Sequence, residues 1–288
     1  QLQSSIIEVW SQSDLMRNVS APRAPGAYPA QIGVGVDLTN TYKCNAKAVE
    51  AIGTREERAN YTLAVNDDYS KMQLLNRAVS LSRELDFVAA AFGASAWGTN
   101  TTVAAGDKWD LPSTDIIAQI DDAMTTVQTA GGYRPNKMML NRRVWTVLKR
   151  NPGIIQRISN VVAGSGTVAS ANPRLVTKES VAALFELEEI LIEDKVYNSA
   201  NQGATDVMNF VAGNHVLLLY VTKAPSLNEP SAGYTYAWAG ATGNAQGLLV
   251  RQGPDIRGGF DFYQLHHYEQ FKVVVPKLGY QFRDVLSA

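Results

Sequence analysis

Apolar positions that return at steps of three and four predict two long helical stretches in the first half of the chain. The first runs from Tyr69 to about Trp97. Leu74, Leu75, Ala78, Val79, Leu81, Leu85, Val88, Ala89, Phe92 and Ala96 keep one face apolar there, while Arg77, Arg83, Glu84 and Asp86 fall mainly on the other. At 1.5 Å per residue such a helix would be ~40 Å long, enough to brace a domain. The second lies in WDLPSTDIIAQIDDAMTTVQTAGGYRPNKMMLN, Trp109 to Asn141. Pro112 fixes the chain before Ser113 and Thr114, either of which can accept from the first free helical N–H groups. Ile116, Ile117, Ile120, Ala123, Met124 and Val127 then recur with helical spacing, and Gly131-Gly132 offers a left-handed stop. Asn136 to Leu140 reads as a short buried strand. Arg142 to Arg150 follows as a helix with Val144, Trp145, Val147 and Leu148 on its apolar side.

Alternation with period two predicts strands elsewhere. Val34, Val36 and Leu38 alternate with Gly33, Gly35 and Asp37, and Tyr61, Leu63 and Val65 with Asn60, Thr62 and Ala64. These read as two strands of a long hairpin around a charged middle, Glu50 to Asn60, with Arg55, Glu56, Glu57 and Arg58 at its tip or flank. A helix at Lys178 to Leu187 and strands at Glu189 to Glu193, Val207 to Val211 and His215 to Val221 follow. The Gly, Ser and Asn rich loops Ala163 to Pro173 and Asn198 to Thr205 separate them. Tyr263, Leu265, Phe271, Val273 and Val275 share one face of a long strand, Phe260 to Pro276, in a hairpin that turns near Gly258-Gly259. At the other end, Gln1 to about Ala30 holds Ile6, Ile7, Val9 and Trp10 and then Pro22, Pro25 and Pro29 without periodicity. This is an extended arm, of a kind that finds its partners elsewhere, often on another subunit. The sum is an α+β chain with no repeat of fixed period.

Composition narrows the function. With 288 residues and 45% hydrophobic content, one large or two smaller domains can form. The 26 basic and 27 acidic residues leave a net charge of -1, without the basic excess of a strong nucleic-acid binder. The longest apolar run, Val216 to Val221, falls far short of the ~18 residues that span a bilayer, so no membrane partner is expected. Cys44 stands alone and cannot form an intrachain disulfide; a small, half-buried side chain in a reducing compartment is expected. The chain starts at Gln1: either a leading segment is removed by proteolysis or the sequence begins at its first ordered residue.

No residue pattern carries catalytic chemistry. His266 and His267 are neighbours on a strand and face opposite sides, and no Cys, His or acidic cluster completes a metal site with either of them or with His215. Gly164-Ser165-Gly166 lacks the lysine of a phosphate-binding loop. The pairs Asp67-Asp68, Asp121-Asp122 and Glu188-Glu189 diverge from their backbones and read as solvated faces. Trp10, Trp97, Trp109, Trp145 and Trp238 are scattered, as packing residues would be. No catalytic, cofactor or metal residue is assigned, and the chain is not expected to be an enzyme.

The order of arm, charged hairpin, long helix, short capped helix, α/β region and returning strands resembles the major capsid proteins of tailed bacteriophages. The strings that carry the likeness are WDLPSTD (Trp109 to Asp115), GGYRPNKMMLNRRVWTVLKRNPGI (Gly131 to Ile154), IEDKVYNSANQG (Ile192 to Gly203) and PSAGYTYAW (Pro230 to Trp238). That resemblance implies an N-terminal arm (1–32), an extended E-loop hairpin (33–68), a peripheral P-domain with a spine helix (69–132), an axial A-domain (133–225) and return strands completing the P-domain (226–288). This is the architecture of herpesvirus capsid floors and encapsulin shells as well. It further implies a structural protein that assembles as hexamers and pentamers in the host bacterial cytoplasm into the icosahedral shell of a virion. Scaffolding, portal and decoration proteins are partners such a shell admits, and its double-stranded DNA would be enclosed without strong specific binding. The residues expected at intersubunit contacts are Arg55, Glu56, Glu57 and Arg58, with Lys43, Lys47 and Trp10. Some relatives cross-link an E-loop lysine to an asparagine of a neighbour, but no local motif marks Lys43 or Lys47 as reactive, and both read as solvated lysines. Two other readings stand beside this one: an encapsulin-like compartment, and a hydrolase or sugar-binding domain using the Asn198 to Thr205 loop and Trp238.

Overall fold

The computed structural model describes residues 2–11, 14, 16–18, 20, 33, 35–54, 56, 67–163, 176–225, 229–256 and 258–287. The chain divides into two compact units, one drawn from residues 1–7, 39–91 and 234–272, the other from 8–38, 92–233 and 273–288. Both mix helix and sheet, as an α+β chain should. In chain order the elements of the first half are β1 (Ser4–Ile6), β2 (Val9–Trp10), β3 (Val36–Asp37), β4 (Thr41–Lys43), β5 (Asn45–Thr54), α1 (Asp67–Ala91), β6 (Thr99–Thr102), α2 (Ile116–Gly131), β7 (Lys137–Asn141) and α3 (Arg142–Arg150). Then come α4 (Pro152–Ala163), α5 (Lys178–Leu184), β8 (Glu189–Glu193), β9 (Val196–Asn198), β10 (Met208–Phe210), β11 (Val216–Leu219), β12 (Gly233–Ala237), α6 (Ala239–Thr242), β13 (Leu248–Asp255), β14 (Phe260–Val273) and β15 (Gly279–Arg283).

The first unit is a sheet beneath one long helix. Strand β14 bonds to β12 and β13 and, over ten residues, to β5, with Asn45 opposite Glu269 and Thr54 opposite Phe260. Cross-strand partners share a face, so Val49, Leu265 and Val250 form one row, Ala51, Tyr263 and Gln252 the next, and Lys47, His267 and Leu248 a third. Leu75 and Val79 of α1 are buried with Tyr263 and Leu265, and Met72, Val49, Ala51 and Leu248 pack against them. The helix stops at Ala91, short of the expected Trp97, with Gly93 two residues beyond its end. The hairpin of the sequence reading also changes. The long strand there is β5, half of which falls in the stretch read as a charged loop, because its alternation sets Lys47, Val49, Ala51 and Gly53 against Ala46, Ala48, Glu50 and Ile52. Neither set is apolar enough to be seen without its partner strand. Residues 61–65, the other expected strand, lie outside the described residues, and so does Val34.

The second unit is built on a five-stranded sheet in the order β6-β15-β11-β7-β8, antiparallel at β15-β11-β7 and parallel at both edges. Met138, Leu140, Ile190, Val216, Leu218 and Phe282 lie on one face by register and enter a single core with α2, α3, α4 and α5. All six apolar positions expected on α2 are buried. Its cap is Asp115, not Ser113 or Thr114: one carboxylate oxygen accepts from the N–H groups of Ile117 and Ala118, both at 3.1 Å. The Thr114 hydroxyl instead donates to the Lys108 carbonyl at 2.7 Å, tying down the chain that enters the helix. Gly132 ends α2 with φ 74°, its N–H bonded to the Gln128 carbonyl at 2.7 Å. Asn141 is buried at the β7-α3 junction. Its side-chain oxygen caps α3 through the Val144 N–H at 2.8 Å, and its amide donates to the Gly213 carbonyl. Helix α4 carries no capping residue typical of a helix start before Pro152 except Asn151, whose side chain accepts from Gly153 and Ile154. The sequence reading did not foresee this helix.

Candidate functional site

The contact candidates fall in separate places. Arg55, Glu57 and Arg58 lie outside the described residues, and Glu56 is exposed. Trp10 is half-buried in β2 opposite Val36, in the second unit. Lys43 ends β4 with its side chain exposed, and its backbone N–H donates to the Gln270 side chain at 2.7 Å. Lys47 is not merely solvated: its ammonium meets the Asp86 carboxylate of α1 at 2.6 Å.

That ion pair belongs to a charged seam that sequence reasoning missed. The stripe of α1 that buries Leu75 and Val79 continues at helical spacing to Arg83 and Asp86, while the inward positions of β14 run Tyr263, Leu265, His267, Glu269. The contact between helix and sheet therefore turns from apolar to ionic along its length. Arg83 grips both carboxylate oxygens of Glu269 at 2.5 and 2.9 Å, with the Glu269 side chain only 3% exposed. His267 is 2% exposed, and among the described residues neither ring nitrogen has a hydrogen-bond partner. Burial holds its pKa below the usual imidazole value, against the opposing pull of Glu269. The signal was present in the period-two run through Tyr263 and Leu265, had polar residues been allowed on its inward side.

Cys44 is fully buried, not half-buried. Its thiol donates to the Tyr236 carbonyl at 3.4 Å, and burial, with Glu269 adding, pushes its pKa up. Tyr42 stacks on Tyr236 at 4.2 Å, and burial raises the Tyr236 phenol to about 12. Both side chains pin β4 to the sheet, and neither is poised to react.

The second unit presents a hairpin, β9-β10, outside its main sheet. Val196, Val207 and Met208 on it are exposed, an apolar display uncommon on a two-stranded ribbon that must stand in water. Buried Glu193 holds its base by accepting from the Lys195 and Ala212 N–H groups. In its loop the Asn198 oxygen accepts from Ala200 and Val207, both at 3.0 Å, and its amide donates to Asp206 at 2.7 Å. Asn198 is thus committed to shaping the loop. Trp238, the other half of the sugar-binding reading, belongs to the first unit and packs edge-on against Tyr268 at 5.7 Å. Among the described residues no group of three His, Cys, Asp or Glu side chains could hold a metal, and no helix is long and apolar enough to cross a membrane.

What these surfaces have in common with known proteins is architecture. A phage-related protein from Bordetella bronchiseptica superimposes over 100% of this chain and 89% of its own, at a TM-score of 0.70 and 21% identity. The capsid of cyanophage P-SCSP1u covers 98% of this chain and 84% of its own at a TM-score of 0.57 and 13% identity. The chain has the tailed-phage capsid fold. An encapsulin from Synechococcus elongatus shares that fold over 88% of this chain and 79% of its own, at a TM-score of 0.53 and 13% identity. Sequence points the same way. The major capsid protein of Pseudomonas phage JBD67 is 26% identical over 195 residues, and that of Burkholderia phage BcepMu 25% over 175 residues. These stretches cover 66% and 58% of this chain, and the chain spans 57% and 52% of the two relatives' lengths. No protein-family profile matches the chain. The resemblance to phage major capsid proteins drawn from its strings therefore holds in sequence and in fold.

Proposed function

We propose that this chain is the shell-forming subunit of a tailed phage, assembling with copies of itself as hexamers and pentamers into an icosahedral capsid around double-stranded DNA. One observation carries the reading: a capsid fold extending over the whole chain, joined to sequence likeness to two proteins named as phage major capsid proteins. The free energy of assembly would come from apolar area buried between subunits and from complementary charges at their rims. The exposed apolar residues of β9-β10, of the arm strand β1 and of β3, Ile6 and Val36 among them, suit such contacts.

In this reading the arm is residues 1–32, the E-loop 33–68, the P-domain 69–132 with 226–288, and the A-domain 133–225. Helix α1 is the spine of the P-domain. The subunit is structural and catalyses nothing, its site of action is the virion, and assembly takes place in the bacterial cytoplasm with scaffolding and portal proteins at hand. The encapsulin alternative shares the fold, but the sequence relatives are phage proteins, which favours the virion.

Sedimentation of the purified chain tests the proposal. It predicts species of megadalton mass; a protein that sediments only as a monomer or small oligomer under all assembly conditions contradicts it. Nuclease-protected double-stranded DNA inside the particles separates a virion from a protein-filled compartment.

A further inference from the structure

Residues 142–178 contain seven Lys and Arg residues and no Asp or Glu, in a chain whose net charge is -1. Helix α3 organises this excess. At 100° per residue, Arg142, Arg143, Thr146, Lys149 and Arg150 fall within an arc of ~120°, opposite Val144, Trp145 and Leu148, which are buried. Exposed Arg157 on α4 adds to the set. Arg142 is bound to Asp194 through two contacts of 2.5 Å, which also hold the aspartate pKa below its usual value. Arg142 and Lys149 line a cavity of about 470 Å³ with Lys178, Thr177 and Asp194 and with the apolar Trp145, Val176 and Ile192, so that the charged part of its wall is net cationic. For Arg143, Lys149, Arg150 and Arg157 no carboxylate partner occurs among the described residues. Lys149 and Arg150 also complement the dipole at the end of α3. That accounts for neither Arg143 nor Arg157.

The face offers little of what a protein partner would need. Its apolar members, Trp145, Val176 and Ile192, are buried or half-buried, whereas interfaces between proteins are organised around an apolar core. A polar, strongly positive surface without apolar anchors fits a phosphodiester backbone. Arg143 and Arg150 stand two helical turns apart, ~10 Å, so one duplex can meet both ends of the face at once.

We infer that the outer face of α3, with Arg157 of α4, is a sequence-independent contact for the phosphate backbone of double-stranded DNA. The inference rests on the proposed shell only for the identity of the polyanion. Such a contact is weak and local, and compatible with a chain that has no overall basic excess.

The test uses the full chain below its assembly concentration and a labelled random DNA duplex of ~30 base pairs, followed by fluorescence anisotropy from ~50 to ~200 mM salt. Binding should be independent of sequence and fall with salt at a log-log slope of about -3 to -4, for four unpaired cations. R143Q/R150Q/R157Q should lower that slope by about 2.7 and weaken binding at least about tenfold at low salt. The charge-keeping variant R143K/R150K/R157K should retain the slope, and K223Q/K277Q, outside α3 and α4, should leave it unchanged. Three results overturn the inference: no salt-dependent binding by a chain that does form particles, a triple glutamine variant that binds as before, or loss of binding in the lysine variant. If the glutamine variant binds DNA normally but no longer forms particles, the face is a subunit contact and the inference is again wrong. Particle formation is scored separately, so failure here leaves the shell proposal standing.

Discussion

Replacing Arg83 by Met should unfasten the long helix from its sheet. Glu269 would keep its charge with its side chain only 3% exposed and lose both guanidinium contacts, at 2.5 and 2.9 Å. Stranding a fully buried charge in this way costs ~3 to 5 kcal/mol. Here the Arg83 side chain is 38% exposed, so water already screens the pair and the lower figure of ~2 to 3 kcal/mol applies. Glu269→Met strands less, because Arg83 can turn to solvent, and should cost about 1 to 2 kcal/mol. The double variant removes both charges and keeps comparable volume. It should fall within ~1 kcal/mol of the parent, giving a coupling of at least ~2 kcal/mol. With two compact units the chain is a poor subject for a single unfolding transition. Native-state hydrogen exchange, read on peptides covering β5 and β14, isolates the free energy of the first unit. A coupling below ~0.5 kcal/mol would refute the view that this pair clamps helix to sheet.

The remaining predictions concern pH, caps and contacts. His267 and His215 are held below the ordinary imidazole pKa, chiefly by burial, so the folded chain keeps both neutral where the unfolded chain takes up protons. Stability should be flat above pH ~6.5 and fall below it, by up to ~1.4 kcal/mol per pH unit for each histidine. Melting curves across that range check this, and His267→Gln should reduce the slope despite Lys47, Asp86, Arg83 and Glu269 around it. Asp115→Ala should cost ~1 kcal/mol through the lost cap of α2. Asn141→Ala should cost ~2 to 3 kcal/mol, since it removes a cap and leaves the Gly213 carbonyl without its donor. Both are measured by native-state hydrogen exchange on peptides of the second unit. Charge reversal at Arg55 and Arg58 should impair particle formation while circular dichroism of the subunit stays unchanged; normal particles would remove those residues from the contact set.

How much of this could be read in the sequence depended on where apolar residues alone mark the interior. Helix α2 and strand β8 were legible because Ile116 to Val127 and Glu189 to Glu193 have a clear period and clean stops. The cap of α2 slipped by one or two positions because Ser113, Thr114 and Asp115 are all competent, and only geometry chooses among them. Strand β5 was obscured by Lys47 and Gly53 on its inward face, and α4 by the Pro152-Gly153 start that reads as a turn. The same blindness hid the seam. His267 and Glu269 interrupt the apolar face of Tyr263, Leu265 and Phe271, and nothing in the strand itself explains them until Arg83 and Lys47, distant in sequence, are seen beside them. Contacts between subunits are harder still, since the partner surface of a shell protein is another copy of the same chain.

The most direct test of the central claim is electron microscopy of the purified full chain under assembly conditions. Closed particles of uniform diameter with hexameric and pentameric clusters on their surface are the predicted result. Dispersed monomers or small oligomers in every field, from protein shown to be folded, would contradict the shell reading.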